Sequence, residues 1–114
     1  MASPLLDLRL WRWQRYTALV ALPLVLAHLA LQYFAFGVDA SSFAQVSARL
    51  KGVAILGLDV VLLAAVGAHA FLGLRSMLQD HARSSRAAAW ITRATLWAFG
   101  AVFLYGLAAL AAFL

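Results

Sequence analysis

Three histidines, two of the four acidic residues and one arginine stand inside or at the edge of apolar stretches, and they set what chemistry this chain can do. His69 lies in GAHAFLGLRSMLQDH, residues 67–81, and no other ionisable side chain precedes Arg75 there. At about 100° per residue, His69, Gly73, Ser76 and Asp80 fall on one helical stripe. Gly73, one turn from His69, leaves the kind of space a flat macrocycle needs. A neutral imidazole is a strong axial ligand for haem iron, and burial favours the neutral ring. A hydrogen bond to a neighbouring helix would satisfy the same imidazole, so the residues alone leave two readings open. His28 carries the same two readings, and Gln14, Thr17, Ala21 and Gln32 share its side. Asp59 fits a proton-relay carboxylate or a residue paired with a partner chain. Arg75 could snorkel to lipid phosphate or pair with an anionic group such as a haem propionate. Asp80 and His81 close the segment as an adjacent polar pair.

The elements that must carry these residues follow from composition. The chain has 114 residues, is 66% hydrophobic and only 11% charged, with mean hydropathy +0.91. A small domain leaves much of its surface in water, so this much apolar surface points to a membrane protein. No cysteine is present, which excludes disulfides, iron–sulfur ligation, thiolate chemistry and covalent haem attachment. The expected fold class is an all-α membrane protein of three transmembrane helices, a single anchor domain within a larger helical bundle. The apolar runs cover about 16–36, 52–78 and 90–113, and ~20 residues suffice to cross ~30 Å of hydrocarbon. Pro23 is tolerable in such a helix. GVDASSFAQVSAR is the first loop, with room for a short surface helix, and QDHARSSRAAA the second. Trp11, Trp13, Trp90 and Trp97 sit near the ends of runs, as interfacial aromatics do.

The net charge of +5 does not indicate a nucleic-acid partner, because the basic residues cluster at the ends of apolar runs. Arg9, Arg12, Arg15, Arg75, Arg83, Arg86 and Arg93 flank one side; Arg49 and Lys51 flank the other. Seven against two puts the N-terminus and the second loop in the cytoplasm and the C-terminus outside. The first run is too long for a signal-peptide core, and no organelle presequence is evident, so a bacterial inner membrane is expected. Counted from the cytoplasmic ends of their runs, His28 lies ~18 Å and His69 ~14 Å up their helices. That small offset permits two ligands at two depths rather than two ligands on one iron.

WQRYTALVALPLVLAH, followed by HAFLGLRSMLQDH, resembles the small hydrophobic membrane-anchor (cytochrome b) subunit of succinate dehydrogenase, complex II. The shared pattern is an aromatic-Gln-Arg-x-Thr start to the first helix, then His-x-x-x-Gly-Leu-Arg-x-x-x-x-Asp in the second. The three-helix plan and the length agree over nearly the whole chain. The resemblance implies a flavoprotein that oxidises succinate, an iron–sulfur subunit that carries the electrons, and a second small membrane-anchor subunit. It implies one haem b, or two if His28 also ligates, and a quinone site at the cytoplasmic boundary. His69 would be a haem ligand, and the partner anchor would supply the other. Asp80 matches the family's Asp-Tyr pair beside the quinone, but His81 stands where tyrosine is expected. His81 could replace the phenol as a donor or proton shuttle, since imidazole exchanges protons near neutrality, or it could be an exposed loop residue. The equivalent fumarate reductase subunit, a haem-free structural subunit and a small proton channel using Asp59 are the competing readings.

Overall fold

The computed structural model describes residues 4–35 and 42–114. Helix α1 runs from Pro4 to Ala30 and widens into a π-helical turn at Leu31–Ala35. A short helix α2 (Phe43–Leu50) precedes α3 (Val53–Gln79) and α4 (Ser85–Ala111). Among the described residues there are no strands, and α1, α3 and α4 are each long and apolar enough to span a membrane. The expected three-span, all-α plan is therefore the observed one. Phe36 and the first residues of the first loop lie outside the described residues.

The ends differ from the apolar runs for local reasons. α1 begins at Pro4, far ahead of Tyr16. Proline is tolerated in the first turn of a helix, where its missing N–H would have no intrahelical partner. The following Leu, Arg and Gln residues are good helix formers, although the arginines end the hydropathy signal. α4 begins at Ser85 rather than Trp90, because the Ser84 hydroxyl caps the Ala87 N–H at 3.1 Å. Ser42 caps α2 in the same way, accepting from the Gln45 N–H at 3.3 Å. Pro23 deprives the Leu19 carbonyl of its usual helical donor, yet α1 continues through it.

α3 is the central helix, with α1 and α4 each packed along it and α2 against its N-terminal part. The α1 face turned inward is Asp7, Leu10, Gln14, Thr17, Ala21, Leu24 and His28, a 3–4 spacing whose members are at least half-buried. This is the coiled-coil period, filled largely by polar and small side chains. Ala21 and Ala65 are both buried, which lets α1 and α3 approach closely. On the other side a Cβ on Gly106 would lie 2.6 Å from Leu63 Cδ2, and one on Gly67 would lie 2.9 Å from Phe99 Cε2. Glycine at those two positions sets the α3–α4 spacing.

The molecule is polar inside and apolar outside. Asp59, Arg75, Thr92 and Thr95 are buried, whereas Leu19, Phe34, Val53, Trp97 and Tyr105 are exposed. Hydrocarbon accepts the outer face at no cost, while every polar group at that depth must find a partner within protein. The long dimension of 50 Å exceeds the hydrocarbon thickness of ~30 Å, so the arginine-bearing helix ends reach the headgroup region.

Candidate functional site

Gln14 on α1 organises the surroundings of His69. The His69 Nδ1–H donates to the Gln14 main-chain carbonyl at 2.9 Å, and the Ser76 hydroxyl donates to Gln14 Oε1 at 3.2 Å. A Cβ on Gly73 would sit 3.5 Å from Gln14 Nε2. The stripe His69–Gly73–Ser76 therefore faces α1, and the space expected beside Gly73 is filled by Gln14 rather than left for a macrocycle. Thr17, from the same motif, donates to the carbonyls of Trp13 at 2.8 Å and Gln14 at 2.9 Å. A carbonyl can only accept, so it fixes the imidazole proton on Nδ1. In the neutral ring Nε2 then carries the lone pair, and among the described residues it has no hydrogen-bond partner. His69 is half-buried.

His28 sits in a second cluster toward the opposite end of the bundle. Its Nδ1–H donates to Asp59 Oδ1 at 2.9 Å, and its Nε2 accepts from the Gln32 amide at 3.3 Å. Arg49 of α2 brings Nη2 to within 3.5 Å of Asp59 Oδ2. Asp59 is thus paired twice within its own chain, so it needs no partner-chain cation. A cavity of about 620 Å³ adjoins this cluster, walled by Val25, Leu62, Leu63, Val66 and Leu110. Arg49 went unnoticed as a site residue because, by sequence, it counts only as an orientation charge.

The two histidines lie further apart in depth than counting from the apolar runs gave. His28 is level with Asp59, and Asp59 precedes His69 by about 15 Å along α3 at 1.5 Å per residue. Counting went astray because α1 extends well below Tyr16, which places Gln14 beside His69. Two depths were expected, and the register widens the gap between them. Among the described residues no three His, Cys, Asp or Glu side chains gather as a metal site. Each histidine could offer a single axial bond.

A third cluster closes the end where α1 begins. Arg75 is buried, donates from Nε to Thr92 Oγ1 at 2.9 Å, and pairs through Nη2 with Asp7 Oδ1. Gln79 Nε2 donates to the Ala88 carbonyl at 2.9 Å and to Thr92 Oγ1 at 3.1 Å. These bonds tie α1, α3 and α4 together, so Arg75 does not snorkel to the membrane surface. Asp7 escaped sequence reading because a lone acid among arginines looks like an ordinary solvated residue. Beside the cluster is a cleft of about 580 Å³ lined by Asp7, Trp11, Arg75, Ser76, Gln79 and Asp80, with Arg83, Ser84, Ser85 and Ala88 completing its wall. Asp80 and His81 are not brought together. His81 is exposed, and its Nδ1–H donates to the Met77 carbonyl at 3.0 Å, one of the open carbonyls at the end of α3. It is not part of the cleft wall.

The chain matches, over residues 1–110, the family described as succinate dehydrogenase/fumarate reductase transmembrane subunit. It is 34% identical over 106 residues to the succinate dehydrogenase hydrophobic membrane anchor subunit of Archaeoglobus fulgidus, covering 93% of this chain and 90% of that protein. The match runs through all three spanning helices and through the Gln14, His69 and Arg75 segments described above. A multi-pass helical protein with polar clusters on its inner seam and hardly any mass outside the membrane, this chain belongs to the succinate dehydrogenase/fumarate reductase transmembrane subunit family.

Proposed function

We propose that the chain is the cytochrome b anchor subunit of a succinate:quinone oxidoreductase, with His69 as an axial ligand of haem b. One observation carries this reading: the Gln14 carbonyl holds the His69 proton on Nδ1 and leaves Nε2 its lone pair. Ligating histidines ordinarily donate their other ring N–H to a carbonyl or carboxylate, which fixes orientation and raises basicity. The donor chemistry of His69 therefore fits the group on its Nε2 side, while Gln14 closes the side toward Gly73. Haem supplies one-electron storage when bound; this chain supplies the imidazole and the wall around it. A second ligand would come from the second anchor subunit, because the other histidine on a spanning helix here lies about 15 Å away in depth. His28 meets the same requirement on Nδ1 through Asp59. Its Nε2 faces the Gln32 amide, so a second haem at that level requires this amide to turn away. The test is the haem content of the complex bearing His69→Ala.

The cleft beside Arg75 is the quinone site in this reading. It lies at the boundary end of α3, where lipid gives quinone a path and water gives it protons. Asp80 lines it and His81 does not, which supports Asp80 as the quinone-side residue of this reading and His81 as a helix-end residue. The flavoprotein and iron–sulfur subunits dock on this side. The relative's name favours succinate oxidation, and the fumarate-reducing direction is the second reading because the family covers both.

The arginine distribution supports an N-terminus on the cytoplasmic face of a bacterial-type inner membrane. A phosphatase fused after Leu114 should be active, and a cytoplasm-dependent reporter at the same place silent. The opposite pattern would reverse the orientation and move the cleft to the outer side.

A further inference from the structure

We infer that Asp7 is a positioning residue of the cleft: it holds Arg75 so that a free N–H edge of the guanidinium donates to the carbonyl oxygen of bound quinone. This rests on the cleft being the quinone site. Arg75 is only 5% exposed, yet it lines the cleft. A guanidinium presents five N–H donors in a rigid planar fork. Thr92 takes Nε–H from the α4 side, and Asp7 takes Nη2 from the α1 side. Two fixed points on two helices determine the plane of the fork. Nη1 has no partner among the described residues and is not sealed from the surface.

The other half-buried donors near Arg75 are already committed. The Ser76 hydroxyl donates to Gln14, and the Gln79 amide donates to Ala88 and Thr92. His81 faces Met77. Arg75 is therefore the buried, oriented donor of the cleft, whereas Trp11, Arg83, Ser84 and Ser85 on the same wall are exposed. Asp7 also balances its charge. The pair offers donors without an uncompensated cation, which suits a neutral carbonyl better than an anion. Without Asp7 the guanidinium can pivot about its bond to Thr92, and the free edge loses its aim.

The experiment uses the intact complex carrying Asp7→Asn and compares reduction of a short-chain quinone with reduction of a soluble dye at the flavoprotein. The KM for quinone should rise about tenfold or more, the loss of one well-aimed charge-assisted bond. The quinone-to-dye ratio should fall, and Asp7→Glu should restore most of it. Asp7→Asn combined with Arg75→Gln should be no worse than Arg75→Gln alone, because both remove the same bond. An unchanged quinone KM, additive losses, or equal losses in both assays that Asp7→Glu does not rescue would each overturn the inference. Ser85→Trp, which fills the cleft from its far wall, separates the two levels. If it leaves quinone reduction intact, the cleft is not the quinone site. If it blocks reduction while Asp7→Asn does nothing, the site stands and the role of Asp7 falls.

Discussion

Replacing His69 by alanine should remove the haem b bound at the level of Gln14 in full, rather than weaken it. Losing a group that only orients a metal ligand commonly costs about 10–100-fold in affinity; losing His69 would leave the iron with no bond from this chain. The neighbouring groups cannot substitute. Ser76 is occupied by Gln14, Gly73 has no side chain, and His28 is about 15 Å away in depth. The fold should survive, because His69 contributes one bond to a main-chain carbonyl and is only half-buried. The expected spectrum of the reduced variant complex lacks the b-type band assigned to this haem, while the dye-linked succinate activity persists. Any remaining haem reports the His28 level, and His28→Ala should then remove it. Full haem content with an unchanged spectrum in His69→Ala would move the ligand to another residue.

Asp59→Ala should destabilise the chain more than His28→Ala. Asp59 and Arg49 have side chains 8% and 9% exposed, so deleting the carboxylate strands a guanidinium away from water. Breaking a buried pair in this way typically costs about 3–5 kcal/mol, chiefly from the uncompensated charge. The His28 Nδ1–H would lose its acceptor at the same time. His28→Ala leaves the Arg49–Asp59 pair in place. Asp59→Ala with Arg49→Met should therefore be more stable than Asp59→Ala alone, because no buried charge remains. Thermal midpoints of the purified complexes give the order directly. A double variant less stable than the single would mean that Arg49 is held by something other than Asp59.

The spans were legible because hydropathy reads them directly, and the half-buried stripe His69–Gly73–Ser76 was legible because helical projection is simple geometry. What faces that stripe was not. Hydrogen bonds between residues as far apart as His69 and Gln14, or Arg75 and Asp7, depend on the register of two antiparallel helices. That register depends on where α1 starts. Pro4 and the arginines after it form helix without adding hydropathy, so the apolar run begins too late. Asp7 and Arg49 were overlooked for a related reason. Each looks like a boundary charge in the sequence, and only packing against α3 makes it the partner of a buried side chain. His81 is the opposite case, a residue that stood out in the sequence with two readings, the quinone or an exposed loop position. A pattern with tyrosine after Asp80 draws attention to it, whereas the end of α3 uses its imidazole to satisfy the Met77 carbonyl.

The central claim is that this family member carries haem through its own histidine as part of an electron-transferring complex. The most direct measurement is the ratio of non-covalently bound haem b to flavin in the complex purified from membranes through a tag on this chain. The expected result is one haem b per flavin, or two if His28 also ligates, with the iron–sulfur protein present in the same preparation. Flavin and iron–sulfur protein without haem would contradict the account and leave the chain as a haem-free anchor.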